Sequence, residues 1–301
     1  MRARGQWAQR AGRAGHGAAV SRPIEYGAHL PLIDFGGGAA TLTELRAYAR
    51  HADALGYRWL CANDHLLFAR PWLDGPTALA ATLGDSGEMT LATTVLLPVI
   101  RGPVQSAKLL AALHALSGGR LVAGLGPGSS ARDYEAAGVP FEERWPRFDD
   151  SIGALRSQLP DGPPLWIASW GSPAGLRRVA RLGDGWLASG YNTTPERFGA
   201  CRAALPASLP NAIATMWLYV TEDRTEAERM LSDVLAPMLG RSVETLRELA
   251  LPIGPAADCA ERIGAFRAAG AERIFVWPLA DGPAQLERFA ADVVPLVPPV
   301  R

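Results

Sequence analysis

Lysine is almost absent from this 301-residue chain. Lys108 is the only one, and arginine supplies the other 29 of the 30 basic side chains. Lys108 does not follow a glycine-rich loop, so the chain lacks the phosphate-gripping lysine of a Walker motif. Cysteine is nearly as scarce. Cys61, Cys201 and Cys259 stand far apart with no C-x-x-C spacing, which argues against a thiolate metal site and a disulfide framework. A reduced, cytoplasmic protein fits that pattern. There is no H-E-x-x-H pair for zinc and no G-x-S-x-G nucleophile elbow. The commonest hydrolase and NTPase readings therefore fall away, although a hydrolase built on scattered carboxylates stays open. No apolar run is long enough to span a bilayer. The formal net charge of zero gives no global attraction to nucleic acid or to an anionic membrane.

That balance hides an uneven distribution. Positions 1–22 carry five arginines and no acid, leaving 25 of the 30 basic residues against all 30 acidic ones in the remainder. The leader is rich in Gly, Ala and Arg and has no apolar core of signal-peptide length. It reads as a disordered extension, with a targeting or nucleic-acid arm as the alternative. From 23 to 301 no linker-like stretch interrupts the chain, so a single domain is expected there.

What the chain does have is a regular beat. Eight short apolar runs stand at Ile24–Leu30, Trp59–Ala62, Leu91–Leu97, Leu121–Leu125, Leu165–Ala168, Trp186–Ser189, Ile213–Val220 and Ile274–Trp277. Most are followed by a segment of helical periodicity, the signature of parallel βαβ units. Thr41 and Glu44 form a capping box ahead of one such helix, with Leu42, Leu45, Ala49, Ala52 and Leu55 as its buried stripe. Pro103 fits a first helical turn, and one long helical region is expected from Thr225 to Ala269. Eight units close a (β/α)8 TIM barrel, whose reactive groups lie on the loops after the strands' carboxyl ends.

Those loops hold three groups of interest. Asp64-His65 follows the second run. An imidazole can exchange a proton near neutral pH, and an adjacent carboxylate can orient it; equally, Asp64 can cap a turn and His65 can pack over the strand end. The fourth run leads into Gly124, Gly126 and Gly128, either as a sharp bend or as a place where a planar ring lies against backbone. Gly171-Ser172 precedes Pro173 at a helix start, where free amides either bind a phosphate or are simply capped. His29 ends the first run in a similar way, and His114 sits inside a helical pattern.

Several segments together resemble the luciferase-like monooxygenase superfamily, and within it the oxidoreductases that use the deazaflavin coenzyme F420. They are TLATTVLLP at 90–98, RGPV at 101–104, LSGGRLVAGLG at 116–126, GVPFEERWPR at 138–147, PPLWIAS at 163–169, RRVARLGDGW at 177–186 and FAADVVP at 289–295. The resemblance covers about 24–297. It implies a bacterial luciferase-like TIM barrel holding a deazaflavin or isoalloxazine ring at the strands' carboxyl ends. Asp64 and His65 would then lie near the reactive edge of the ring, with His65 donating or accepting a proton. Asp64 would fix the imidazole tautomer or contact the cofactor. Thr94-Val95 would form a non-proline cis peptide against the ring. Gly126, Gly128 and Ser129 would flank the ring, and Gly171 with Ser172 would take its phosphate.

The chain departs from the family pattern in three places. His114 stands where relatives carry Asp, and Ser129 stands where some sugar-phosphate dehydrogenases have a catalytic Glu. The stretch between Asp150 and Pro163 is shorter than usual. The resulting expectation is a hydride transfer between reduced F420 and a small organic substrate, in a protein able to form a homodimer. An FMN-dependent monooxygenase is the first rival. A barrel that binds a flavin or a partner without turnover is the second.

Overall fold

A computed structural model of the chain describes residues 23–299, so the basic leader at 1–22 lies outside the described residues. Each of the eight apolar runs forms a strand. They are β1 (Glu25–His29), β2 (Trp59–Ala62), β3 (Thr90–Leu96), β4 (Leu121–Leu125), β5 (Leu165–Ala168), β6 (Gly185–Ser189), β7 (Asn211–Val220) and β9 (Arg273–Pro278). A two-residue strand, β8 (Ile253–Gly254), lies between the last two. Neighbours pair in parallel from β1 through β7, then β7 pairs with β9 and β9 with β1, closing the ring. β8 stays outside the ring, paired only with Tyr219 and Val220. The fold is therefore a TIM barrel.

The long helical region expected from Thr225 to Ala269 is built from several helices and is interrupted by β8. Helix Arg224–Arg229 continues into a π-turn, and Gly240 ends the run in a left-handed conformation (φ +60°). Pro252 and Pro255 flank β8, and a fresh helix begins at Ala256. Proline removes the amide a helix needs, so the helical pattern cannot run through them.

Inside the ring, side chains from alternate strand positions fill layers. Trp59, Trp166 and Phe275 occupy the amino-terminal half. Gly27 is in ladder register with both Trp59 and Phe275. A methyl group there would come within 2.5 Å of the Phe275 ring and 2.8 Å of Trp59 Cβ. The glycine is what lets two aromatic rings share one layer. Below them, the Arg273 guanidinium lies 5.4 Å from the ring centres of both Trp59 and Trp166. Its Nε is 3.1 Å from Glu25 Oε2, which also accepts Trp59 Nε1–H at 2.7 Å. This cation–π and ion-pair cluster seals the bottom of the barrel.

Outside the ring, helices cover the strands. Helix Leu42–Ala54 carries the expected Thr41/Glu44 capping box. Leu45, Ala49 and Ala52 are buried as expected, but Leu42 is exposed and Tyr48 joins the buried face. The Tyr48 hydroxyl donates to the carbonyl of His29 at 2.8 Å, tying this helix to the end of β1.

Gly27→Ala should destabilise the fold by about 1–3 kcal/mol through overpacking of a closed interior. Urea unfolding measures this, and an unchanged midpoint would show that the aromatic layer can yield.

Candidate functional site

The carboxyl ends of the strands enclose one large cavity of about 670 Å³. It falls in the range typical of small-molecule and cofactor sites. Its floor comprises Thr94 and Val95 of β3, Leu187 of β6 and Ala214 of β7. The loops after β2, β4 and β5 form its walls, contributing Asn63 to His65, Gly126 to Ser129, and Ala168 to Trp170 with Ser172. The connections after these strands thus bring together Asp64, His65, Thr94, Val95, Gly126, Gly128, Ser129 and Ser172. Gly171 sits just behind, between the lining residues Trp170 and Ser172.

His65 Nδ1 lies 2.9 Å from Asp133 Oδ2, and the other carboxylate oxygen accepts the Leu67 amide at 2.9 Å. Burial alone would raise the Asp133 carboxyl. The His65 N–H and the Leu67 amide more than offset this, so it is held below the usual carboxylate range. An ionised Asp133 can only accept, so a proton sits on Nδ1 of His65. Nε2 has no protein partner among the described residues. Phe68 and Trp72 flank the ring, with centroids 5.2 and 4.9 Å away. The imidazole is thereby fixed in tautomer and in plane while it lines the cavity.

Asp64 does not perform that orienting task. Its carboxylate is clamped by Arg101 through two contacts of 2.6 Å, and Oδ2 also accepts the Leu97 amide at 3.3 Å. A planar guanidinium matches both oxygens of a carboxylate, and this pairing takes Asp64 away from the neighbouring imidazole. Arg101 is also bound by Asp74. The adjacency of Asp64 and His65 in sequence therefore misleads, because successive residues leaving a strand point to different sides.

The Thr94–Val95 peptide is cis, as the resemblance implied. The Val95 amide donates to Asn63 Oδ1 at 3.1 Å, and the same oxygen accepts the Asp64 amide at 2.8 Å. A methyl group on Gly126 would approach Val95 Cγ2 to 2.8 Å, so glycine keeps the space beside Val95 open. Gly128 has φ +83°, a conformation other residues rarely adopt. Tyr134 holds this turn by donating its hydroxyl to the Pro127 carbonyl.

Helix Pro173–Leu182 begins as expected, with the Ser172 hydroxyl accepting the Gly175 amide at 3.1 Å. The amides of Ser172 and Ala174 have no protein acceptor among the described residues. Two arginines also line this side, Arg144 and Arg197. Arg144 lies over the Phe141 ring at 3.9 Å, and Arg197 donates to the Trp170 carbonyl at 2.8 Å. Neither has a carboxylate partner among the described residues. Sequence reasoning did not single out these arginines, Asn63, Thr215 or Asp133. The motif containing Arg144 was visible, but Asp133 lies in a short helix with no signal linking it to His65. No group of three or more His, Cys, Asp or Glu positioned for a metal occurs among the described residues. Among them, too, no helix is long and apolar enough to cross a membrane.

The profile of the family described as luciferase-like monooxygenase matches residues 27–241. An F420-dependent hydroxymycolic acid dehydrogenase of Mycobacterium tuberculosis is 29% identical over 194 residues, covering 53% of this chain and 52% of that protein. An F420-dependent glucose-6-phosphate dehydrogenase of Amycolatopsis mediterranei is 28% identical over 178 residues, covering 48% and 52%. The chain thus spans about half the length of the curated relatives it matches. Among solved structures, an F420-dependent secondary alcohol dehydrogenase in complex with an F420-acetone adduct superposes with a TM-score of 0.77 at 17% identity, covering 92% of this chain and 100% of that one. A monooxygenase from Streptomyces bottropensis gives 0.75 at 19%, covering 90% and 99%. These two likenesses show the shared fold.

Because Asp133 has a depressed pKa in the folded state, its ionised form stabilises the fold above the ordinary aspartate value of about 3.9 and loses that contribution as pH falls. Asp133→Asn should cost about 1–2 kcal/mol at neutral pH, and the gap should narrow towards pH ~3. Urea unfolding across that range tests it. A gap that stays constant with pH would deny the carboxylate this role.

Proposed function

The chain belongs to the luciferase-like monooxygenase family, and from that premise we propose that it is an oxidoreductase that binds coenzyme F420 in the barrel-top cavity and reduces or oxidises a small organic substrate there. The observation that carries this reading is the coincidence, in one cavity, of a flat glycine-lined wall, an oriented imidazole and a cationic helix start. Several relatives share the cofactor in their names, which supports the same choice.

The residues fit the group. Gly126 and Gly128 leave a surface that a Cβ at Gly126 would obstruct, beside Val95. A flat heterocycle needs such a surface. The free amides of Ser172 and Ala174 suit a phosphate at the positive end of the helix dipole. Arg144 and Arg197, without carboxylate partners, add positive charge on that side. When bound, reduced F420 supplies two electrons as a hydride.

The chain's own residues do the rest. His65 Nε2 carries the proton exchange, giving a proton to an oxygen that gains charge or removing one in the reverse direction. Asp133 keeps Nδ1 protonated and stabilises the cationic ring. Asp64 acts at one remove, holding Arg101 and the end of β3 in place. Trp145 and Trp170 edge the mouth of the cavity.

Titration of the protein with oxidised F420, reduced F420 and FMN, read by fluorescence quenching, tests the reading. Saturable binding of F420 without oxygen uptake supports it. Preference for FMN with oxygen uptake points to a monooxygenase instead, and binding without turnover over a broad substrate panel points to a non-catalytic barrel. His65→Ala should lower turnover about 10²- to 10⁴-fold while changing F420 affinity only a few-fold. Unchanged turnover would remove His65 from the reaction.

A further inference from the structure

His29 is completely buried at the end of β1, yet it reaches three other strands, of which β3 is paired with neither β7 nor β9. Its ring lies flat against Trp277 of β9, with centroids 4.5 Å apart and planes 7° from parallel. Nε2 is 3.1 Å from the Thr215 amide of β7. Nδ1 is 3.5 Å from Thr94 Oγ1 of β3.

The direction of these contacts is determined. A backbone amide can only donate, so Nε2 of His29 is an acceptor. Complete burial holds the ring neutral, pushing its pKa down to about 3. A neutral imidazole has one N–H, which must therefore be on Nδ1. Nδ1–H faces Thr94 Oγ1, and that oxygen is the acceptor on this side. The proton of the Thr94 hydroxyl is left without an acceptor among the described residues. Thr94 is only 4% exposed, and it lines the cavity. A buried hydroxyl with an unmatched proton is costly unless water or a ligand in the cavity accepts it, so this donor is directed into the cavity.

Thr215 shows that the network is built rather than incidental. It is β-branched and has φ +54°, a conformation that such residues rarely adopt. The register of β7 against β9 shifts between Ile213 and Met216, and this shift frees the Thr215 amide to meet His29. Thr215 also lines the cavity.

We infer that the Thr94 hydroxyl donates a hydrogen bond to an acceptor atom of the heterocycle bound in this cavity, a ring carbonyl oxygen or ring nitrogen, and that His29 is the positioning residue that sets the direction of that donor. The inference rests on the proposed binding of a flavin-type ring and is independent of which redox reaction follows.

Equilibrium titration with oxidised F420 and with FMN, followed by absorption and fluorescence, tests it in the wild type and in Thr94→Val, Thr94→Ser and His29→Gln. Thr94→Val removes the donor at nearly constant volume. It should weaken binding of the ring about 3- to 10-fold and shift the visible absorption maximum of the bound ring. Thr94→Ser should restore both. His29→Gln keeps an acceptor for the Thr215 amide but withdraws the Nδ1 donor, so it should cost less than Thr94→Val and add nothing to it in the double variant. Wild-type affinity and spectrum in Thr94→Val would overturn the inference, as would lost affinity with an unshifted spectrum. If the wild type binds neither ring, the proposed function falls as well, which separates that failure from this one.

Discussion

A closed parallel barrel pairs every backbone amide within its ladders, so a cavity at its rim can exist only if the amides released there are satisfied in another way. That constraint organises the top of this barrel. β3 slips register near its carboxyl end, between Thr93 and Leu96, and β7 slips between Ile213 and Met216. The amides of Val95 and Thr215 are each caught by a side chain from an earlier strand end, Asn63 in one case and His29 in the other. Both acceptors are fixed in turn. Asn63 Oδ1 also takes the Asp64 amide, while His29 is stacked on Trp277 and its carbonyl is held by Tyr48. The floor of the cavity is therefore as firmly hydrogen-bonded as the ladders beneath it.

The ionisable groups follow a similar division. Two carboxylates that approach the cavity wall are neutralised from within the wall: Asp64 by Arg101, and Asp133 by His65 and the Leu67 amide. Such pairs offset the cost of burial only when most of their hydrogen-bonding capacity is used, which is the case for both. Negative charge is thereby withdrawn from the lining, while Arg144 and Arg197 on the opposite side keep theirs. The result is a cavity in a chain of zero net charge whose uncompensated cationic side chains, Arg144 and Arg197, stand on the side of the Ser172 helix start. Exposed Trp145 and Trp170 give the same mouth an apolar edge.

Much of this architecture was legible in the sequence. The eight strands were visible because parallel strands buried on both faces read as short continuous apolar runs bounded by turns. The Thr41 capping box and the Ser172 cap were visible because capping needs particular side chains at fixed spacing. What the sequence did not reveal depends on separation along the chain. Asp133 stands 68 residues from His65, and Thr215 stands 186 from His29. No local pattern records such partners, whereas the adjacent Asp64 offered a plausible but mistaken one. His29 was noticed only as a strand-end residue, since nothing local announces a ring that bridges β3 and β7. The break in the Thr225–Ala269 region was foreshadowed by Pro252 and Pro255, which periodicity alone does not weigh.

The cavity itself follows from a gradient in side-chain size along the strands. Alternate residues face inward, so each strand can be followed upward in steps of two. β2 runs from Trp59 through Cys61 to Asn63, and β5 from Trp166 to Ala168. β4 runs from Val122 through Gly124 to Gly126, and β7 adds only Ala212 and Ala214 before Thr215. Large rings therefore close the amino-terminal end around Arg273, while small residues leave the carboxyl-terminal end hollow. Gly27 and Gly185 make the lower aromatic packing feasible, because a Cβ at either would lie 2.5 Å from a ring atom of Phe275 or Trp166. Glycine at the bottom thus accommodates aromatic bulk, and glycine at the top leaves room for a ligand. The same residue type produces rigidity at one end and space at the other, according to what stands across from it.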